Sequence, residues 1–422
     1  MIIRDNISSK VLFKGVYILV FFLMLLGVFY LLVACNEIST SFNKQQTNLI
    51  SLGEVNSAVI MPDGSLWAWG GNAFGQLGDG TTYDRNVPVQ IGLDTDWASV
   101  SVGAGFTVAT KSDGSLWYWG ASWDDVMNGN LGSSTYRITK PTQIGTNTDW
   151  SNVVVGYSHI LALKTDGSLW AWGRNRFGQL GDGTTIERSV PVQVGSDTDW
   201  ASIVASNIHT MAIKQDGSLW AWGYNAGGMF GDGTSSDRYS PLQTTPIKIG
   251  TDTDWMMIAT GGSHTAALKR DGSLWTWGTN QVGQLGDGTT INRYNPAQIG
   301  TYIGWKYVSV GSGTTLAIKE DGSLWAWGNN TRGYLGIEVG LFDSQLSTSE
   351  FDHVLEPVQV GTNTDWVHVA AYFHIVGVRE DSSVWSWGFA NMMFGVIGDG
   401  SRESRSVPTK IIDGKVRFYT YD

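Results

Sequence analysis

The chain has 422 residues, of which 42% are hydrophobic and 15% are charged, with 54 glycines, 21 tryptophans and one cysteine. A chain of this composition buries a large core, so intrinsic disorder is excluded. The net charge of −11 and the lack of any block of consecutive basic residues argue against a nucleic-acid partner. A single cysteine forms neither an internal disulfide nor a paired-cysteine metal site.

Residues 1–35 are predicted to be an export segment. Arg4, Lys10 and Lys14 precede an apolar run over residues 15–34 that ends at Cys35, which is the pattern of a secretory signal. Residues 32–35, Leu-Val-Ala-Cys, resemble a bacterial lipobox, in which the cysteine carries the lipid. An uncleaved anchor is the alternative, because about 20 apolar residues span a bilayer. Both interpretations predict an exported protein, anchored to the membrane on its extracytoplasmic side.

Residues 36–48 are polar and predict a flexible tether, and residues 49–422 contain internal repeats. The pentapeptide Asp-Gly-Ser-Leu-Trp occurs six times, and Asp-Ser-Ser-Val-Trp is a seventh, degenerate copy. The copies begin at Asp63, Asp113, Asp166, Asp216, Asp271, Asp321 and Asp381. Each continues as Trp-x-Trp-Gly. Three copies run on through Gly-Gln-Leu-Gly-Asp-Gly-Thr-Thr and the others through variants of it, and Thr-Asp-Trp follows in five places.

Each repeat has the hydrophobic pattern of four short strands and no helical period. In the third repeat the predicted strands are residues 152–155, 160–164, 168–172 and 191–194. The Asp-Gly pair between the second and third strands predicts a two-residue hairpin turn, because glycine adopts positive φ. Trp170 and Trp172 project to one side of the third strand. Leu169 and Ala171 project to the other side, so both faces of the sheet are apolar and need neighbours.

Radial stacking of seven such sheets buries both faces of each sheet and protects their edges. We therefore predict an all-β fold, a seven-bladed β-propeller of four-stranded antiparallel blades. Residues 49–61 match the stretch before the other Asp-Gly turns and supply two strands, and the tail from Asp413 to Asp422 is expected to lie against the same blade. The ring is then closed by both termini, which removes an exposed edge.

The repeat resembles that of a known family. The segments Trp-Gly-x-Asn-x-x-Gly-Gln-Leu-Gly, Pro-x-x-Val/Ile and Gly-x-x-His-Thr-x-Ala-Leu are similar, over residues 49–412, to the regulator of chromosome condensation repeat family of seven-bladed propellers. The segment DGSLWAWG resembles the repeats of the bacterial members of this family. The resemblance implies a scaffold for protein binding, whose members include a nucleotide exchange factor, an ultraviolet sensor and an inhibitor of β-lactamases. Fold alone does not choose among such activities.

Two sets of repeated polar residues raise the question of a metal site. Histidine occupies one equivalent position in four repeats, at His159, His209, His264 and His374. Equivalent positions lie on different blades, and Phe106 takes the same position, so we interpret these histidines as hydrogen-bonding groups of the fold. Paired aspartates such as Asp94 and Asp96 predict a turn, with a calcium site as the alternative. We predict no metal and no cofactor.

The sequence pattern does not indicate an enzyme. It has no Ser-His-Asp order, no nucleophile elbow and no carboxylate pair that stands apart from the repeat. An arginine recurs six residues after the aspartate of Gly-Asp-Gly-Thr, as in Asp79 and Arg85. This spacing predicts an ion pair within each blade, with an anion site as the alternative.

Differences among the seven copies distinguish residues required by the fold from residues available for function. Positions shared by all copies serve the fold, and positions that differ between copies are available for binding. Strand direction alternates, so the connections between strands 1 and 2 (the 1–2 turns) and between strands 3 and 4 (the 3–4 loops) share one side, which we call the variable face. The Asp-Gly hairpins and the Asp-Trp loops share the other side, the hairpin face. Nearly all variation falls on the variable face.

Large aromatic residues and arginines on the variable face favour contacts with a protein partner. The predicted contact set is Trp123, Asp124, Asp125, Arg174, Arg176, Phe177, Tyr224, Arg332, Tyr334, Glu338, Asp343, Met392 and Met393. The alternative is that several of these side chains only fill the base of a loop.

The sixth repeat is 11 residues longer between Gly336 and Pro357 than the first repeat is between Gly78 and Pro88. The insertion holds five acidic residues and no Lys or Arg, which favours a basic partner or a cation; a tolerated surface loop is the alternative. We predict a monomeric, non-catalytic, membrane-anchored propeller that binds a protein through its variable face. A glycan-binding module or hydrolase of the envelope, and a surface spacer, are the alternatives.

Overall fold

The computed structural model describes residues 49–122, 124, 126, 136–236, 242–337, 353–390 and 393–414. Contacts divide the chain into two units, residues 1–47 and 48–422, and every described residue belongs to the second. The predicted export segment, the tether and Cys35 therefore lie outside the described residues. In the part of the chain that is described, no helix combines the length and the hydropathy required to cross a bilayer.

The described residues form 28 strands and a short 3-10 helix, Thr331–Gly333, and the strands make seven antiparallel sheets of four consecutive strands each. The first three blades contain β1 (Ile50–Leu52), β2 (Asn56–Ile60), β3 (Leu66–Gly70), β4 (Arg85–Gln90), β5 (Trp97–Val102), β6 (Phe106–Lys111), β7 (Leu116–Ala121), β8 (Arg137–Gln143), β9 (Trp150–Val155), β10 (His159–Lys164), β11 (Leu169–Gly173) and β12 (Arg188–Gln193). The next two contain β13 (Trp200–Ala205), β14 (His209–Lys214), β15 (Leu219–Gly223), β16 (Gln243–Ile249), β17 (Trp255–Thr260), β18 (His264–Lys269), β19 (Ser273–Gly278) and β20 (Arg293–Ile303). The last two contain β21 (Trp305–Val310), β22 (Thr314–Lys319), β23 (Leu324–Asn329), β24 (His353–Gln359), β25 (Trp366–Ala371), β26 (His374–Arg379), β27 (Val384–Gly388) and β28 (Arg405–Ile412).

The predicted seven-bladed propeller is confirmed, and the third blade shows why the sequence forms it. Its strands β9–β12 begin and end within three residues of the predicted bounds. Trp172 faces an apolar cluster shared with the second blade, whereas Leu169 and Ala171 face one shared with the fourth. Successive side chains of the strand thus point to opposite faces of the sheet and pack into two different apolar clusters. Apolar packing lies between the blades rather than within one of them.

The Asp-Gly hairpin is one residue longer than predicted. The Lys111 N–H donates to the carbonyl of Ser115, which leaves three residues in the connection, and the Asp113 carboxylate accepts hydrogen bonds from the N–H and hydroxyl of Ser115 at 2.9 and 2.6 Å. Gly114 has φ +79°, and a Cβ there would lie 2.2 Å from a backbone carbonyl oxygen. In the degenerate seventh copy this left-handed position is taken by Ser382, with φ 65°, which is unfavourable for a residue other than glycine.

In five blades the indole N–H of the second tryptophan of Trp-x-Trp-Gly donates to the 3–4 loop of the preceding blade. The buried indole nitrogen of Trp387 in the seventh blade has no such partner among the described residues. Trp119 of the second blade donates to the carbonyl of Gln76 at 2.9 Å, and Trp222 of the fourth donates to that of Gln179, also at 2.9 Å. A Cβ at Gly181 would lie 2.7 Å from the indole nitrogen of Trp222. Glycine at this position therefore lets loop and indole approach closely.

The ring closes through the same joint. Trp69 of the first blade donates to the carbonyl of Val396 in the last at 2.8 Å, and Ser57 hydrogen-bonds with His374 at 2.6 Å. The terminal blades therefore meet, but β1–β4 come wholly from one end of the chain and β25–β28 from the other. The first four strands already complete a sheet, so no blade of the described residues combines strands of both ends. The part of the predicted tail over residues 415–422 lies outside the described residues.

Candidate functional site

The seven 1–2 turns surround the centre of the variable face. The first strand of each blade is innermost, and all seven blades contribute to a central pocket of about 160 Å³ that contains Glu54, Tyr157 and Tyr372. Burial, followed by the neighbouring charge of Glu54, raises the pKa of Tyr372 to about 12. The phenol of Tyr372 in this central pocket therefore stays neutral at physiological pH.

A buried asparagine fixes the base of each typical 3–4 loop. The amide nitrogen of Asn175 donates to Asp182 at 3.1 Å and to the carbonyl of Ile186 at 3.1 Å, and its amide oxygen accepts the N–H of Leu180 at 3.0 Å. Asn72, Asn225 and Asn280 make the equivalent bonds to the aspartate and from the backbone N–H five residues on. The shared residues are thus engaged in loop structure, and only the loop tips are left for other contacts.

The recurring arginines form the predicted ion pairs within the blades. The pairs are Arg85–Asp79, Arg188–Asp182, Arg293–Asp287 and Arg405–Asp399, at 2.5 to 2.8 Å. Burial acts to raise the pKa of Asp79, but hydrogen bonds from Thr81 and Arg85 outweigh it and hold the pKa below its usual value. Arg238, the remaining copy, lies outside the described residues.

The repeated histidines join neighbouring blades, as predicted for hydrogen-bonding groups of the fold. The pairs are His159–Thr210, His209–Thr260, His264–Thr315 and His374–Ser57, at 2.6 to 3.3 Å. Burial lowers the pKa of His159 and His374 to about 4, and that of His209 and His264 to about 3. These imidazoles are neutral bridges at physiological pH.

Lysine side chains pair with the paired aspartates of the hairpin face. Lys214 Nζ lies 2.6 Å from Asp197 and 2.9 Å from Asp199, and 4.8 and 4.7 Å from the ring centroids of Trp200 and Trp220. Burial acts to lower the pKa of Lys214, but the two aspartates outweigh it and raise the pKa. Lys111 and Lys269 have the same surroundings. Over the described ranges, no group of three or more His, Cys, Asp or Glu side chains is placed to hold a metal ion.

The structure brings four predicted contact residues together between the third and fourth blades. Arg174, Arg176 and Phe177 line a pocket of about 190 Å³ with Tyr157, and the ring of Phe177 lies 5.6 Å from that of Tyr224. All four come from the 3–4 loops of these two blades. The pocket offers cationic and aromatic side chains side by side on the variable face.

A second aromatic group lies between the sixth and seventh blades. Tyr334 lines a pocket of about 120 Å³ with Tyr372 and Phe373, and its ring contacts that of Phe389 at 6.0 Å. Tyr334 belongs to the predicted contact set, but the structure does not place it in the group that contains Arg174 and Phe177. The variable face therefore carries two separate aromatic groups.

The remaining predicted contact residues are partly described. Asp124 is exposed, and the side chain of Met393 is 64% exposed. Arg332 lies in the 3-10 helix of the sixth blade, and its side chain is not among the described ones. Trp123, Asp125, Glu338, Asp343 and Met392 lie outside the described residues, together with most of the acidic insertion. For these residues, partner contact stays a prediction.

Five residues of the face that lie in 1–2 turns were not predicted: Glu54, Tyr157, Asn207, Tyr372 and Phe373. In these turns other blades carry Gly103-Ala104 or Gly261-Gly262. The sequence does carry a signal for them, because large or polar residues occur in these turns where other copies have glycine or alanine.

These features define a class of protein, a closed seven-bladed propeller whose shared residues build the ring and whose differing residues meet on one face. The comparisons agree. The family description "RCC1-like domain" matches residues 33–340 and, in an overlapping second match, residues 123–419. The chain therefore belongs to the RCC1-like domain family.

Individual relatives share the fold at low identity. The chain is 32% identical over 248 residues to the ultraviolet-B receptor UVR8 of Arabidopsis thaliana, covering 58% of this chain and 44% of the receptor. It superposes on yeast RCC1 (Prp20), solved bound to Kap60, with a TM-score of 0.72 at 20% identity over 89% of this chain and 87% of the other. For Prp20p of Saccharomyces cerevisiae, described with its binding to Gsp1p and histones, the TM-score is 0.70 at 22% identity over 84% and 87%. The chain spans less than half the length of the curated relatives it matches.

Proposed function

We propose that this chain is a non-catalytic propeller that binds another protein through its variable face, and that its amino-terminal segment anchors it to a membrane on the extracytoplasmic side. One observation carries the first part. Large side chains that differ from blade to blade are exposed at the tips of this face, whereas the polar residues shared by the blades are engaged in hydrogen bonds and ion pairs.

The exposed tips have the chemistry of a protein contact surface. Tyr157, Phe177 and Phe373 are each about two-fifths exposed, and Met393 is exposed further. Aromatic residues and arginine dominate the binding energy of many protein interfaces. The two pockets, of about 190 and 120 Å³, are smaller than the roughly 300 Å³ at which ordinary small-molecule sites begin. A surface that presents side chains to a partner therefore fits better than an enclosed active site.

Two structures of one relative, yeast Prp20, add support to protein binding. Yeast RCC1 (Prp20), which has the same fold, is seen bound to Kap60, and Prp20p is described as binding Gsp1p and histones. At these identities the likeness concerns the fold, and we do not transfer those partners. We propose only that the ring is used here for the same general purpose.

Cross-linking with matched variants tests the contact face. The face variant is Phe177→Ala/Phe373→Ala/Met393→Ala, and the control is Leu93→Ala/Ile303→Ala, because Leu93 and Ile303 are 90% and 61% exposed on the hairpin face. The purified full chain in non-ionic detergent is cross-linked to envelope extract, and recovered proteins are identified by mass spectrometry. We expect the parent and the control to recover one protein at equal yield, and the face variant to recover it at least about tenfold less.

Equal recovery by all three forms, at equal melting temperatures, would contradict the proposed contact face. It would leave glycan binding and hydrolase activity as the next functions to assay.

The anchor has its own test at Cys35. We expect the parent chain to incorporate labelled palmitate in a lipoprotein-processing bacterium and to lack residues 1–34, because the lipidated cysteine becomes the first residue. Cys35→Ser should lose the label and keep those residues. A parent that remains in the membrane with residues 1–34 intact would establish the uncleaved anchor instead. A parent recovered wholly in the soluble fraction would overturn membrane anchoring.

A further inference from the structure

The pocket between the third and fourth blades is assembled from three segments of the variable face. It is formed by the 1–2 turn and 3–4 loop of the third blade and by the 1–2 turn of the fourth. Its volume is about 190 Å³, and its lining includes Tyr157, Arg174, Arg176, Phe177 and Asn207. Two arginines in one small pocket contrast with the net charge of −11 of the whole chain.

Arg174 differs from the other arginines of the loops. It is half-buried, and its backbone N–H is fixed to the carbonyl of Ser158 at 2.9 Å. Its guanidinium makes no hydrogen bond or ion pair with any residue that the structure describes, whereas Arg188 of the same blade is paired with Asp182 at 2.6 Å. A guanidinium has five N–H donors arranged to hold a carboxylate. Arg174 therefore presents an unused cationic donor group to the pocket.

The neighbours of Arg174 set the charge and the polarity of the pocket. Arg176 lies 3.2 Å from Glu187, so these two charges largely cancel and Arg174 leaves the pocket with a net positive charge. Asn207 and the phenol of Tyr157 are exposed at the rim and add further donors. Phe177, whose ring centroid lies 5.6 Å from that of Tyr224 in the next blade, provides an apolar wall. An anionic group next to an apolar group complements this combination.

The ring itself does not require Arg174. The equivalent positions after Trp-x-Trp-Gly in the other blades are Gly71, Ala121, Tyr224, Thr279, Asn329 and Phe389. Only the third blade has a basic residue there, and the other six build the same strands and loops without one. The positive charge of this pocket is thus additional to the fold.

We infer that this pocket receives an aspartate or glutamate side chain of the protein partner, paired with Arg174 and flanked by an apolar residue that packs on Phe177. This inference rests on the proposed function and specifies the partner's chemistry at one point of the face. A bidentate arginine–carboxylate hydrogen bond adds affinity and fixes the orientation of the carboxylate. An acidic segment of the partner therefore docks between the third and fourth blades.

A pair of peptides tests the inference. The probes are fluorescein-labelled Glu-Glu-Phe-Glu-Glu and its counterpart Gln-Gln-Phe-Gln-Gln, titrated with the full chain in non-ionic detergent and followed by anisotropy. We expect the acidic peptide to bind at least about tenfold more tightly, and Arg174→Ala to remove that difference, because a hydrogen-bonded charge pair commonly contributes a factor of about 10 to 100. Arg174→Lys should retain part of the affinity. Binding should weaken as salt screens the pair.

The matched control is Arg402→Ala, which removes an exposed arginine from the 3–4 loop of the seventh blade and should leave both affinities unchanged. Equal binding of the two peptides, or undiminished binding by Arg174→Ala, would overturn the inference. Displacement of the acidic peptide by glutarate at equal concentration would contradict the binding of a protein side chain in this pocket. It would indicate a small carboxylate ligand instead.

The cross-linking experiment separates this inference from the proposed function. If the face variant loses the partner while Arg174→Ala recovers it fully, the result supports the proposed contact face. It contradicts the inference that an acidic side chain of the partner pairs with Arg174. If the parent and all variants recover the same proteins equally, the proposed contact face is contradicted. The peptide titration then still measures whether the pocket binds an acidic peptide through Arg174.

Discussion

Acidification from pH 7 to pH 5 is expected to lower the free energy of unfolding by about 2 kcal/mol for each of four buried histidines, which are His159, His209, His264 and His374. Burial lowers the pKa of these imidazoles to about 3 or 4, whereas in the unfolded chain it is about 6.5. Below pH 6.5 the unfolded state therefore binds more protons than the folded state. The stability is fully present above that pH and is lost as the pH falls toward the folded-state pKa. Urea unfolding at pH 7, 6 and 5 measures the loss.

The chain supplies its own control for the acid sensitivity. The second blade has Phe106 where the fifth has His264, and both are wholly buried. The variant His264→Phe loses the 2.7 Å hydrogen bond to Thr315 and should be less stable at pH 7. Its stability should fall by about 2 kcal/mol less than that of the parent between pH 7 and pH 5. An identical fall in both proteins would show that the acid sensitivity has another source.

Replacing Trp69 with alanine is expected to lower the free energy of unfolding by about 3 to 5 kcal/mol, the range for a buried tryptophan. The side chain is wholly buried in the cluster that joins the first and last blades, with Val59 and Val376. Its indole N–H donates to the carbonyl of Val396 at 2.8 Å. The substitution therefore leaves a cavity and an unpaired carbonyl at the point of ring closure. Urea unfolding at pH 7 measures the change.

Two comparisons interpret the Trp69 result. Trp69→Phe keeps most of the apolar volume and loses the hydrogen bond, so it should cost about 1 to 2 kcal/mol. Trp222→Ala makes the same change at the joint between the third and fourth blades, where the indole donates at 2.9 Å, and should cost as much as Trp69→Ala. A Trp69→Ala cost near zero beside a large Trp222→Ala cost would mean that the terminal blades contribute little to closure.

The sequence was sufficient for the ring because local patterns determine it. The Asp-Gly-Ser-Leu-Trp copies predict the number of blades, and the alternation of Leu169 and Trp170 predicts two apolar sheet faces. The length of the hairpin depends on how the Asp113 carboxylate holds Ser115, which spacing does not reveal. The completion of the first blade by β1–β4 alone agrees with the sequence, because residues 49–61 supply two strands and the first repeat supplies the other two.

The candidate site was predictable only in part, because it depends on which loop tips meet. Arg174 and Phe177 lie in one loop and were predicted together, but Tyr157 reaches the same pocket from a 1–2 turn and Asn207 from the next blade. The lysine that neutralises Asp197 and Asp199 lies at the end of the second strand that follows them, β14. In the sixth blade the aspartate position holds Tyr302, whose ring lies 4.5 Å from the ammonium of Lys319. Such substitutions are understood only once the neighbours are known.

The sharing of every apolar cluster between two blades has a consequence for how this protein comes apart. An open array of repeats has end units that fray, because each end unit has only one neighbour. A closed ring has no end unit, since the cluster around Trp69 gives the first blade a second neighbour. Detaching any blade exposes two apolar clusters at once, which is costly. Local opening is thereby confined to the loops, and the blades are expected to unfold together as a single cooperative unit.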